Sequence, residues 1–239
     1  MKKIILLFCA ALLLQGCRTA LLYTSNTIPI PLLKEVRETQ IAAEYGTNGV
    51  NVNVAASPME NFAFSLSSNS DNISQKSDIY LDGYKDERNF KYTEGAVGYY
   101  FQLDEKYISE VYTGYGRGTA SDKFYEQTFL SSTVHAKSSS GKFDKYFVQA
   151  NFGSRGKNLA TGFAFRLSYS KFYELTRIND GVRTNPSKVE SFFFEPAVFA
   201  RFGGKNVLLE FQLLFPYAQK DIDFDYRNII VSTGVRFIL

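Results

Sequence analysis

Between Ser191 and Phe215 the chain reads SFFFEPAVFARFGGKNVLLEFQLLF, with apolar residues recurring at every second position. A period of two sends alternate side chains to opposite faces of a β-strand. Phe192, Phe194, Val198, Ala200 and Phe202 share one face of a first strand, and Val207, Leu209, Phe211, Leu213 and Phe215 share one face of a second. The opposite faces carry Ser191, Glu195, Ala197 and Arg201, then Glu210 and Gln212, with Phe193 and Phe199 among them. Gly203-Gly204-Lys205 joins the two runs as a tight turn. Such a hairpin must bury one face, and the open question is which face meets water.

The same alternation recurs along most of the chain and predicts ten strands, near 38–46, 50–57, 61–67, 90–102, 107–118, 142–153, 159–170, 191–202, 206–215 and 228–239. Asn48-Gly49 supplies the first hairpin turn. The polar stretches 68–89, 119–141 and 171–190 read as longer connections, the second with strand extensions and the third broken by Asn179-Asp180-Gly181 and Asn185-Pro186. Short turns thus alternate with long connections, the first turn at 47–49 alone being short on the long-connection side, which is the asymmetry of a barrel with short periplasmic turns and longer external loops. Several strands also reach the ~9–11 residues that a tilted strand needs to cross a bilayer.

The chemistry of the two faces points the same way. One face is almost free of charge, whereas the other collects Glu44, Glu94, Glu110, Lys145, Arg166, Glu195, Arg201, Glu210 and Arg236 among glycine, alanine, serine and amides. A wetted surface would carry more long Lys and Glu side chains. The small residues suit a crowded lumen in which Arg166, Arg201 and Arg236 neutralise Glu195 and Glu210. The expected fold is therefore all-β, an antiparallel up-and-down transmembrane β-barrel of about ten strands, with eight to twelve compatible. The alternative is a lipid-anchored lipocalin-like barrel with the aromatic face turned inward around an apolar ligand.

The front of the chain has its own logic. Lys2 and Lys3, the apolar run IILLFCAALLL and then Leu14-Gln15-Gly16-Cys17 have the layout of a secretory signal, too short for a spanning helix. LQGC resembles the lipobox of bacterial lipoproteins. That resemblance implies cleavage after residue 16, acylation of Cys17 (palmitate among the chains) and handling by lipoprotein-sorting machinery. Removal of 1–16 also takes Cys9, so the mature chain has no disulfide and no cysteine-ligated metal. Residues 17–37, with two prolines and no sustained period, read as a lipid-anchored tether, and 38–239 as the barrel. A net charge of +3 gives no footprint for a nucleic-acid partner.

With its final segment IIVSTGVRFIL and its repeated aromatic-rich hairpins, the chain resembles the small β-barrel outer-membrane proteins of Gram-negative bacteria. The resemblance covers most of Glu38 to Leu239 and implies outer-membrane lipid and the barrel-assembly machinery as partners, with both termini of the barrel periplasmic. Catalytic chemistry is thin: the single histidine, His135, has Ser131 and Ser132 nearby but no motif around it, and no metal or cofactor site is marked. Gly114, Gly116 and Gly118 lie on a strand, outside the strand-to-helix context of a nucleotide loop, and relieve crowding or permit bending. The expected function is non-enzymatic, a structural or surface-interaction barrel with a packed ionic lumen. The alternatives are a narrow porin and the lipocalin-like carrier.

Overall fold

The computed structural model of the protein describes residues 21–78, 82–128, 134–219 and 222–239, with side chains except at 75–78, 82–85, 126–128 and 134–135. Its strands are β1 Thr39–Gly46, β2 Gly49–Met59, β3 Phe62–Asp78, β4 Asp82–Gln102, β5 Tyr107–Thr128, β6 Val134–Arg155, β7 Leu159–Phe172, β8 Thr176–Asn179, β9 Val182–Thr184, β10 Glu190–Gly203, β11 Val207–Leu214, β12 Tyr217–Ala218 and β13 Ile230–Ile238. Ten of these, β1–β7, β10, β11 and β13, form an antiparallel wall in sequence order. The wall closes where β13 pairs with β1, from Gln40↔Ile238 to Gly46↔Ser232. Closure leaves the ten-strand wall no edge strand, which a sheet immersed in lipid cannot leave open.

One end of the wall carries the tight turns that follow β2, β4, β6 and β10, the start of β1 and Leu239; the other carries the short β1–β2 turn and the long connections. Of those, the described parts of 68–89 and 119–141 lie in strands, the second as the strand extensions expected there. The β3–β4 ladder runs on to Asp78↔Gly83 and the β5–β6 ladder to Gln127↔Val134. Above the bilayer both faces of a strand meet polar surroundings, so Ser68, Ser70, Asn72 and Ser74 point outward with no apolar alternation to announce a strand. The third connection holds the β8–β9 hairpin, turned by Asp180 and Gly181 at φ 48° and 82°, and β8 pairs with the extended part of β6.

The apolar face is outside. Val148, Leu167 and Leu66 are 56%, 55% and 54% exposed, and Val52, Val97, Val111, Phe194, Val198 and Leu209 join them in a continuous band. Aromatic rings border it at both heights: Tyr107 stacks on Phe152 near the tight turns, while Tyr115–Tyr146 and Tyr169–Phe192 pair near the long-strand end. Just beyond this second girdle the outer face becomes ionic, with Arg117–Asp144 at 2.8 Å and Lys171–Glu190 at 3.0 Å. An apolar band between two aromatic girdles is the surface a bilayer requires.

Residues 17–37 are not the expected tether over their described length. Residues 22–33 are buried, Ile28, Ile30, Leu32 and Leu33 completely, inside the barrel. The segment enters at the long-strand mouth, where Tyr23 forms a parallel bridge with Tyr226, and leaves at the tight-turn mouth, where Lys34 donates to the carbonyls of Glu105 and Arg155. The start of the described chain therefore lies at the mouth opposite Leu239, while the barrel's own first strand begins beside Leu239, with Thr39 and Leu239 hydrogen-bonded to each other.

Candidate functional site

The lumen is built from the inward positions of the ten strands, and all nine charged residues assigned to it are buried there. Arg201 and Glu210 are register partners on β10 and β11 and meet at 2.7 Å; Arg236, from β13, reaches the same carboxylate at 2.8 and 3.1 Å. The pairing departs from expectation at Arg166. It stands opposite Glu195 in register, but Lys145 (2.7 and 3.1 Å) and Ser168 (2.7 Å) occupy that carboxylate. Arg166 instead crosses the lumen over the ring of Phe147 to Glu94 on β4, at 2.9 and 3.1 Å, and donates twice to Gln149. Glu44 accepts from Asn53 and Ser232, and Glu110 from Asn151 and the backbone N–H of Leu33.

Sequence reasoning missed the threaded segment, and the wall amides carried its signal. An inserted strand without a sheet partner must find donors and acceptors for its backbone elsewhere. Here side chains supply them in order down the lumen. Asn48 donates to the Ser25 carbonyl, and Asn51 accepts from the N–H of Thr27. Gln212 both accepts from the N–H of Ile28 (2.8 Å) and donates to its carbonyl (2.9 Å). Gln149 and Asn151 donate to the Pro29 carbonyl, Arg201 to that of Ile30 and Arg155 to that of Leu32. Pro29 and Pro31 bring no N–H at all, so two donors never need satisfying.

Above this network Tyr23 fills the long-strand mouth, its ring centroid 5.1 to 6.4 Å from those of Phe90, Phe143, Phe172, Phe193 and Phe224. The glycines of β5 make room for this cap. A Cβ at Gly116 would collide with the ring of Tyr92, and one at Gly118 with the ring of Phe143, the two rings that stack at 5.5 Å. The run YTGYGRG thus answers to crowding. Beside the cap, outside the apolar band, Arg88 lies 3.5 Å from Asp71 and donates to Thr24 of the threaded segment. Burial and the neighbouring charge of Asp86 push the Asp122 carboxyl up to about 6 there, against the pull of Arg88.

Two clefts of about 610 and 460 Å³ open at the long-strand mouth, one lined by Phe172, Leu175, Thr176, Arg183 and Val189 and the other by Leu21, Tyr217, Ile222 and Phe224. Neither is lined by the nine lumen charges. Among the described residues no three His, Cys, Asp or Glu side chains are grouped to hold a metal ion. Cys17, Ser131, Ser132 and the side chain of His135 lie outside the described residues.

A closed antiparallel wall of ten strands, apolar outside and ionic inside, with tight turns at one end and long strands at the other, is the outer-membrane β-barrel fold. The structure is similar to that of the outer membrane protease OmpT from Escherichia coli, with a TM-score of 0.50 and 9% identity over 89% of this chain and 99% of that one. It is also similar to the translocator domain of the autotransporter NalP from Neisseria meningitidis (0.47, 8% identity, 84% and 86% covered) and to CarO2 from Acinetobacter baumannii (0.42, 10%, 86% and 100%). No protein-family model matches the sequence, and no curated protein matches it. At 9% identity the likeness to OmpT carries the fold and no activity.

Proposed function

We propose that the protein is a non-enzymatic lipoprotein of the bacterial outer membrane, acylated at Cys17, whose plugged barrel serves as a rigid scaffold for surface contacts. The observation that carries this reading is the threaded segment: residues 22–33 fill the lumen and are bonded to opposite walls. A porin needs a continuous water path, and here the charges that would line one are paired with each other and with the plug. The outward apolar band supports spanning and weighs against a lipocalin-like carrier. The polar ladders beyond the girdle supply the external surface.

Planar-bilayer recordings test the proposal. The full-length protein is expected to insert without conductance steps, and a variant lacking residues 22–33, checked for a folded barrel by heat-modifiable migration, is expected to show them. Steady conductance by the full-length protein would favour the porin reading instead. Extraction of Cys17→Ala from membranes by carbonate alone, without detergent, would refute the spanning barrel.

A further inference from the structure

The direction of the threaded segment sets where the N-terminus of the mature chain must lie. We propose that the barrel carries its own N-terminal residues out through the lumen to the cell-surface mouth, so that acyl chains on Cys17 enter the outer leaflet of the membrane and not the periplasmic one. The proposal rests on the outer-membrane reading above and adds to it a side.

The order of contacts leaves one direction. Tyr23 sits by Phe143, Pro29 by Gln149 and Asn151, and Lys34 by Arg155, so the segment descends parallel to β6, which itself runs from the long-strand end to the tight-turn end. At the top, Leu21 lines a cleft with Tyr217, Ala218, Ile222 and Phe224. Ala218 pairs with Phe193, whose ring lies 5.1 Å from Tyr23, and Phe192 next to it belongs to the upper aromatic girdle. Leu21 is thus close to the level at which the apolar band meets water.

Covalent reach then decides the side. Four steps along the chain lead from Leu21 to Cys17 and span at most about 14 Å when fully extended. The interface is within that length. The opposite mouth is not, because the chain itself takes thirteen steps, from Leu21 to Lys34, to get there, and the lumen along that path is already filled. Short turns mark the periplasmic end of such barrels and long connections the exterior. The β3–β6 ladders extend from the mouth at which Leu21 emerges, so that mouth faces outward. A consequence is that the wall has to close, at β13–β1, around a segment already in place.

Labelling with a membrane-impermeant maleimide in intact and permeabilised Gram-negative cells tests this, using the full chain with single cysteines introduced by Thr19→Cys, Asn185→Cys at the long-strand mouth and Lys205→Cys in the β10–β11 turn. The ratio of intact to permeabilised labelling is expected near 1 for Thr19→Cys and Asn185→Cys, and at least tenfold lower for Lys205→Cys. A Thr19→Cys ratio that follows Lys205→Cys while Asn185→Cys stays near 1 overturns the proposal and leaves the outer-membrane reading intact. If Asn185→Cys and Lys205→Cys exchange behaviour, the orientation of the barrel is wrong, and the proposal falls with it. Should Thr19→Cys fold poorly or stay unlabelled, an epitope inserted between Thr19 and Ala20 gives the same decision: antibody binding to intact cells supports the proposal, and binding only after permeabilisation overturns it.

Discussion

Replacing Arg166 by Met removes a guanidinium that is fully buried and makes two contacts to Glu94, two to Gln149 and one to Asn26 of the threaded segment. The loss leaves the Glu94 carboxylate in the lumen with the Tyr92 hydroxyl, at 2.9 Å, as its remaining donor among these contacts. Breaking one partner out of a buried pair costs about 3–5 kcal/mol, because a charge stays behind without compensation. Glu94→Gln removes that charge, so the double variant is expected to recover part of the loss, with a coupling of about 1–3 kcal/mol. Equilibrium urea unfolding in detergent micelles, followed by the fluorescence of the 16 tyrosines in this Trp-free chain, gives both numbers. The two residues sit on β7 and β4, with β5 and β6 between them, so the pair ties strands that do not touch in the wall. If Arg166→Met costs under ~1 kcal/mol, or if the two substitutions simply add, the pair is not the cross-lumen tie described above.

Other perturbations probe separate parts of the same construction. Val148→Arg places a cation in the middle of the outer band and is expected to cost ~2–4 kcal/mol in lipid vesicles, whereas an outer face in water would tolerate it almost without cost. Ile30→Ala opens a cavity within the plug and is expected to cost ~2–5 kcal/mol in the urea assay. Gly116→Ala drives a methyl into the Tyr92 ring, an overpacking worth ~1–3 kcal/mol, and should lower the temperature at which heat-modifiable migration is lost. For Asp122 the folded carboxyl titrates near 6, above its ordinary value of 3.8, so the folded state holds that proton more tightly than the unfolded one. Its contribution to stability is complete below pH ~3.8 and disappears as pH rises through ~6. The stability difference between the wild type and Asp122→Asn should therefore shift against the wild type between pH 4 and 7, and a difference that does not change with pH would refute the assignment.

How much of this was legible in the sequence follows from where alternation has a physical cause. In the bilayer one face meets lipid and the other meets paired charges, and the resulting contrast marks strands such as Leu159–Phe172 and Val207–Leu214 closely. Above the bilayer that contrast ends. Ser68, Ser70, Asn72 and Ser74 then alternate with Asn69, Asp71 and Ile73, a single apolar residue among polar ones, and the ladder continues without a contrast between its faces. The lumen charges could be assigned to a face because the period of two decides faces. Their partners were legible only in part: Arg201 and Arg236 meet Glu210, but Arg166 spans the interior to a strand three places away while Lys145 takes the carboxylate beside it.

The plug was hidden for the opposite reason, since it obeys no period at all. Residues 22–33 are buried on every side, so neither face is distinguished, and Pro29 and Pro31 read as breakers because prolines interrupt a sheet by removing donors. Inside a lumen the same property becomes an advantage, as each missing N–H is one fewer group to satisfy. The informative residues lay instead on the wall. Asn48, Asn51, Gln149, Asn151 and Gln212 are buried amides, and an amide both donates and accepts. Charges alone can neutralise one another across an empty lumen. A ladder of buried amides cannot be satisfied that way, and its five members mark the path of a backbone that the wall closed around.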